Sequence, residues 1–164
     1  METRTDDDAK KKVWSLIKDV QVAMMVSHHE DHLHGRPMVA VDREFDGTLW
    51  FFTRWDAPKV EQFRKDPRVL LAYSDPDDQV YVSISGSAEI LRDKALTDAH
   101  WKEAMRTWFP KGKDDPELAL IKVEAQGAEY WDAPSSTMVY AYGYLKARLT
   151  GEPPHPGDVA KVKL

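Results

Sequence analysis

Apolar positions in the first twenty residues recur at helical spacing. Val13, Leu16, Ile17 and Val20 share one stripe while Lys10, Lys11, Lys12 and Lys18 face the other way, which predicts a helix from about Asp6 to Asp19. Thr5 followed by Asp6, Asp7 and Asp8 suits its start, because a hydroxyl can accept from free amides and carboxylates oppose the positive end of the helix dipole. From Val20 onward the pattern changes to short runs of β-branched and aromatic residues between turn residues. These predict strands at Val22–Ser27, Arg36–Phe45, Thr48–Arg54, Val69–Ser74, Val80–Leu91 and Leu118–Trp131. Asp46-Gly47 is a two-residue link that accepts positive φ, so the second and third of these strands are expected to form a hairpin.

The fifth predicted strand has Val80, Val82, Ile84, Gly86, Ala88 and Ile90 on one parity and Tyr81, Ser83, Ser85, Ser87 and Glu89 on the other. Gly86 on the inward face suggests a sharp bend or the close approach of another backbone, and the unbroken parity argues against an inserted residue. A closed or nearly closed sheet is therefore favoured. Val22–Val26 and Leu49–Phe52 are apolar on both faces, so helices or a second subunit must cover their outer sides. Asp56 can cap a short helix with Pro58 in its first turn, Val60 and Phe63 inward, and an end at Asp66-Pro67. A third helix is read from Lys94 to Phe109, with Leu96, His100, Trp101, Met105 and Trp108 at helical spacing and Thr97 as its cap. Pro110 to Pro116 is then a loop, and a last helix runs from about Ser135 to Leu149. The fold class is thus mainly β with flanking helices: one domain over residues 1–150, then a Pro/Gly-rich tail over 151–164.

Composition narrows the function. The chain has 164 residues, which fits one domain, and its 23 Lys plus Arg against 28 Asp plus Glu leave a net charge of −5. That balance offers no counterion-release term for nucleic acid, so no nucleic-acid partner is expected. The absence of cysteine removes disulfides, thiolate metal sites and thiol nucleophiles. No apolar run approaches bilayer length and the N-terminus is charged, so the expectation is a soluble cytoplasmic protein with no membrane partner.

Three chemistries compete for the remaining motifs. His28, His29, His32 and His34 with Glu30 and Asp31 could ligate a divalent metal. Read as a loop between strands they would be held loosely, which favours a solvated connection over a designed metal site, so no metal is expected. No two of the eight glycines are two positions apart, which excludes a G-x-G-x-x-G loop, and Gly112-Lys113 lacks the rest of a P-loop. Any nucleotide must therefore be gripped by side chains and helix ends. Arg36, Thr53 and Lys59 could supply that grip: a hairpin would bring Arg36 beside Thr53, and Lys59 lies in the first turn of the next helix. The alternative is that Arg36 and Lys59 are ordinary solvated charges. Trp50-Phe51-Phe52, with Trp131, could flank a flat ring or could simply be core.

The order Arg36-Pro37-Met38, Trp50-Phe51-Phe52-Thr53, Lys59-Val60, Gln79-Val80, the Gly86 strand and Glu129-Tyr130-Trp131-Asp132 resembles the pyridoxamine 5′-phosphate oxidase-like flavoprotein superfamily, and within it the general stress protein 26 family. The resemblance spans roughly Lys12 to Leu149. It implies a six-stranded antiparallel split β-barrel of Greek-key type that binds FMN, as a homodimer with flavin sites at the interface. Carried over by position, it implies that Arg36 and Lys59 contact the FMN phosphate and Thr53 bonds nearby. Pro37, Met38 and Phe52 would line the isoalloxazine, Gln79 would touch its edge, and Trp131 would complete the set. Where many relatives carry Ser two residues before the lysine, this chain has Ala57, and Pro58 removes a further donor. The C-terminal Arg-x-His of vitamin oxidases is missing, which disfavours oxidation of pyridoxamine 5′-phosphate. The resulting expectation is an FMN-dependent oxidoreductase of unknown substrate and electron donor, with no catalytic side chain named. A non-enzymatic binder or sensor of flavin, deazaflavin or haem and a dimeric scaffold with a vestigial site are the competing readings.

Overall fold

The computed structural model describes residues 2–5, 7–133, 137–153 and 158–164. In chain order the elements are β1 (Glu2–Thr5), α1 (Asp7–Ile17), β2 (Val22–His29), β3 (His32–Val39), β4 (Thr48–Arg54), α2 (Pro58–Lys65) and β5 (Arg68–Asp75). They are followed by β6 (Val80–Leu91), α3 (Lys94–His100), β7 (Leu118–Asp132), α4 (Thr137–Thr150) and β8 (Asp158–Lys163), with 3-10 turns at Glu103–Thr107 and Gly112–Asp114. Each of the six expected strands has a counterpart, but the one read over Arg36–Phe45 is displaced to β3 at His32–Val39. β1 and β8 are additional, and residues 158–163, expected in a tail, pair with β7 and with β1. The linker at Pro154–Gly157, the expected helix start at Ser135 and the acidic residue Asp6 lie outside the described residues.

Antiparallel pairing runs β3-β2-β5-β6-β7, and β4 joins the other edge of β7. A bridge between Ala40 and Phe51 and a bond from Val41 N to Trp50 O (3.0 Å) bring the end of β3 back against β4, so six strands curl into a nearly closed ring. The ring splits on β7. Its second edge pairs with β4 from Leu118 to Glu124 and with β8 from Gly127 to Asp132; of Ala125 and Gln126 between them, Gln126 is the extra residue opposite Ser85 and Gly86. This is a split barrel of mainly antiparallel strands with helices around it.

The hairpin expected across Asp46-Gly47 does not form. Side chains take the donors that such a ladder would use, since Trp50 N donates to the Asp42 carboxylate (3.0 Å) and Thr48 N to Asp46 (3.0 Å). Phe45 is buried, and Gly47 hands its carbonyl to Ala125 instead. β3 pairs with β2 through the two-residue turn Glu30-Asp31, where Glu30 takes φ 54°, the left-handed value that a tight hairpin turn requires. The segment His28–His34, read as a loop, is therefore mostly strand.

The parity of β6 holds through its length, because the inserted residue belongs to β7. A Cβ on Gly86 would collide with the backbone carbonyl of Glu124, which explains a glycine at this bend. α1 buries Ala9, Val13 and Ile17 against the barrel, as its stripe predicts. Asp56 does not cap α2. It pairs with Arg54 (3.0 Å), and Ala57 occupies the cap position with no side-chain bond. The helix read over Lys94–Phe109 stops at His100, capped by Asp93, while Thr97 is buried within it. Trp101 is extended there, which lets both Trp101 and Phe109 stack edge-on against Phe52 at 5.5 and 6.1 Å. Those rings, with Val41, Met105, Leu118 and Leu120, form a second apolar cluster outside the barrel core.

Candidate functional site

β4 and α2 build the site between them. β4 ends at Phe52-Thr53-Arg54, the chain turns, and α2 begins with Pro58 at its first position, so the positive end of the helix dipole opens toward the strand end. Lys59, in that first turn, reaches back to Thr53, with Nζ 3.5 Å from Oγ1. Thr53 is buried, with 2% of its surface exposed. Burial lowers the Lys59 ammonium below its ordinary pKa, and the nearby charge of Arg36 lowers it further.

Arg36 arrives by a different route from the one its spacing suggests. With β3 paired to β2, Arg36 stands opposite Met25 and is clamped from the far side by α2. Its guanidinium donates to Ser27 Oγ (2.8 Å) and to Gln62 Oε1 (3.0 Å), and Ser27 Oγ also lies 3.1 Å from Gln62 Oε1. Burial lowers the Arg36 pKa from its usual value. Two cations that mutually raise the local potential, held beside a helix N-terminus and a hydroxyl, make a place where an anion relieves a standing electrostatic cost.

A cavity of about 560 Å³ opens from this basic corner. Pro37, Met38, Phe52, Thr53 and Lys59 line it, five of the eight residues expected at the site, and its walls are otherwise mostly apolar. Its size is that of a drug- or cofactor-sized ligand. Arg36 lies behind the wall, in electrostatic range of Lys59. Gln79 and Trp131 are elsewhere. Gln79 sits in the turn before β6 at φ 55° and donates to Pro76 O (2.6 Å), and Trp131 faces outward on β7 opposite Tyr81. The cavity also recruits Trp108, which the helical reading places on a stripe with Leu96, His100, Trp101 and Met105, and Phe109, which it places at the helix end. Trp108 is 67% exposed at its mouth. Pro110 disfavours a helical Phe109 but says nothing of Trp108, so the sequence carried only a weak signal for these two rings.

A second, partly buried polar spot lies close by, with Val39 lining both cavities. Asp42 and Lys102 both line a cavity of about 230 Å³ that also contains Tyr73. Burial pushes the Asp42 carboxyl up to about 7, against the opposing effects of the Trp50 amide and the Lys102 charge. Lys102 Nζ donates to the Asp42 backbone carbonyl (3.2 Å), and the buried Tyr73 hydroxyl has no hydrogen-bond partner among the described residues.

Among the described residues, no helix is long and apolar enough to cross a membrane. Residues 8–155 match the family described as pyridoxamine 5′-phosphate oxidase like. General stress protein 26 of Bacillus subtilis (strain 168) is 29% identical over 136 residues, which is 80% of this chain and 94% of that protein. The solved general stress FMN/FAD binding protein of Xanthomonas citri is 31% identical with a TM-score of 0.70, over 80% of this chain and 93% of that one. A general stress protein 26 related structure from Clostridium acetobutylicum is 20% identical with a TM-score of 0.69, over 77% of this chain and 90% of that one, and shows the same fold.

Proposed function

The chain belongs to the pyridoxamine 5′-phosphate oxidase-like family, and from that premise we propose that it is a general stress protein that binds FMN and uses it as a flavin-dependent oxidoreductase. The observation that carries the reading is the cavity itself, a mostly apolar slot of about 560 Å³ whose polar residues Thr53, Arg54, Asp56 and Lys59 all come from the end of β4 and the start of α2. A flat tricyclic ring with an anionic tail has that chemistry. Lys59, Thr53 and the first turn of α2 would hold the phosphate, with Arg36 supplying charge from behind. Met38, Phe52 and Pro37 would lie along the ring, excluding water from it. Bound there, the flavin supplies the redox chemistry, and the chain supplies binding, orientation and field. The binding of FMN or FAD by the Xanthomonas citri relative supports the reading.

Self-association belongs to the same proposal. Val22, Met24, Leu70, Tyr81 and Trp131 stand exposed on the outer face of β2, β5, β6 and β7, and Val22 also lines the cavity. A second copy laid on this face would cover it and close the cavity mouth. Trp131 on the face and Gln79 in the turn beside it would then be contributed across a homodimer interface.

The test compares FMN with riboflavin, which lacks only the phosphate. The protein is expected to bind FMN more tightly, and Arg36→Ala with Lys59→Ala to erase that preference, losing about 10- to 100-fold for each cation. Equal affinity of the unaltered protein for both ligands would refute the phosphate assignment. A second reading, a non-enzymatic binder of flavin, deazaflavin or haem, is favoured by one feature: the carboxylate at the cavity, Asp56, is tied up with Arg54. Reduction of the bound flavin by NAD(P)H, followed by stopped-flow absorbance against free flavin, separates the two.

A further inference from the structure

The histidine-rich segment is not a loop, and this changes what it can do. In the β2–β3 register His29 stands opposite His32, and Ser27 opposite His34. Side chains opposite one another, or two apart on a strand, share a face, so His29, His32 and His34 point to one side of the hairpin. Their rings are neighbours: His29 and His32 have centroids 5.4 Å apart, and His32 and His34 6.4 Å. Two imidazoles sharing one tetrahedral ion, with metal–nitrogen bonds of about 2.0–2.1 Å, have ring centres about 5 Å apart. His28 is on the opposite parity and lies 3.8 Å from Asp66.

We propose that His29, His32 and His34 form a binding site for a divalent transition-metal ion of the zinc, nickel or copper type at the tip of the β2–β3 hairpin. Asp31 is the positioning residue. Its Oδ1 lies 3.3 Å from His32 Nδ1, so a proton on Nδ1 would be shared with the carboxylate and Nε2 left to bind, the carboxylate–imidazole arrangement that commonly supports a metal ligand. Among the described residues, no three such side chains are already arranged to hold an ion. His29 and His34 must therefore turn about χ1 and χ2; His34 is exposed and His29 half-buried at the hairpin tip. All-imidazole donors select against calcium and magnesium, which require oxygen ligands. The fourth position would be left to water.

The experiment is calorimetric titration of tag-free protein, without flavin, with zinc, nickel and magnesium salts. The expected result is one zinc or nickel ion per chain and none for magnesium. His29→Ala, His32→Ala and His34→Ala should each weaken binding at least tenfold, Asp31→Asn about tenfold, and His28→Ala not at all. Circular dichroism of each variant shows whether it is folded. Adventitious binding only would appear as losses shared equally by His28→Ala, or as an affinity that survives removal of any one of the three, and either result overturns the proposal. So does the absence of zinc and nickel binding to the unaltered protein.

Discussion

Arg36 and Gln62 meet at 3.0 Å, guanidinium to amide oxygen, and this bond ties the β3 strand to the buried side of α2. Lys59 projects from the first turn of the same helix, so the distance between the two cations depends on a neutral residue that touches neither the cavity nor any ligand. Gln62→Leu should cost about 1–3 kcal/mol in urea denaturation, because Arg36 and Ser27 both lose an acceptor away from bulk water. FMN affinity should fall with it. Gln62→Glu separates the two effects: stability is kept by an ion pair, while the new carboxylate competes with the phosphate for Arg36, and fluorescence titration should show weaker FMN binding at unchanged stability.

Gly86→Ala should be among the most destabilising single-methyl additions available in this chain. The added carbon would meet the Glu124 carbonyl, which is backbone and cannot rotate away. A loss of about 3 kcal/mol or more is expected from urea curves, or failure to accumulate folded protein. Gly35→Ala is the control, since its new carbon would make only ordinary contacts with Met24 and Val26.

Asp42 gives the fold a dependence on pH. Its folded-state pKa of about 7 lies above the ordinary carboxylate value of 3.8, so the folded protein holds a proton that the unfolded chain releases. Its contribution is fully present below the unfolded pKa, declines as pH rises through the interval from 3.8 to about 7, and is gone above that. The limiting slope for one proton is about 1.4 kcal/mol per pH unit. Asp42→Asn keeps an acceptor for the Trp50 amide and cannot ionise, so its stability measured between pH 5 and 8 should lack this component of the decline.

Trp108→Ala should separate the cavity from the fold. The indole is 67% exposed, so the melting temperature should change little, whereas flavin affinity should drop several-fold if the ring covers the mouth of the slot. Tryptophan emission offers a second readout. Quenching on FMN addition should be smaller in the variant than in the unaltered protein.

Strand identities were legible in the sequence, and strand partners were not. Period-two alternation fixed β6 to the residue, Val80–Leu91, because one of its faces is buried from Val82 to Ala88 and half-buried at Val80 and Ile90. Pairing depends on which backbone donors are free, and two aspartate side chains, Asp42 and Asp46, decided that for β4. The turn Glu30-Asp31 was invisible because it needs positive φ from a glutamate, which composition does not advertise. Arg36 was located near Lys59 for an incorrect reason: the expected link ran through a hairpin with β4, and the actual one runs through Gln62. Trp108 was hidden by helical spacing that continues past the point where Trp101 turns extended to reach Phe52.

The shared edge of β7 has a consequence for how the barrel breathes. Residues 119–121 and 123 are fully buried, with β4 on one side and β6 on the other, whereas the stretch from Gly127 onward leans on β8. Whenever β8 frays, the second half loses one flank and the first half loses nothing. Deuterium uptake should therefore divide this single strand into a slow segment that opens only with the whole molecule and a faster one, with the boundary at Gln126.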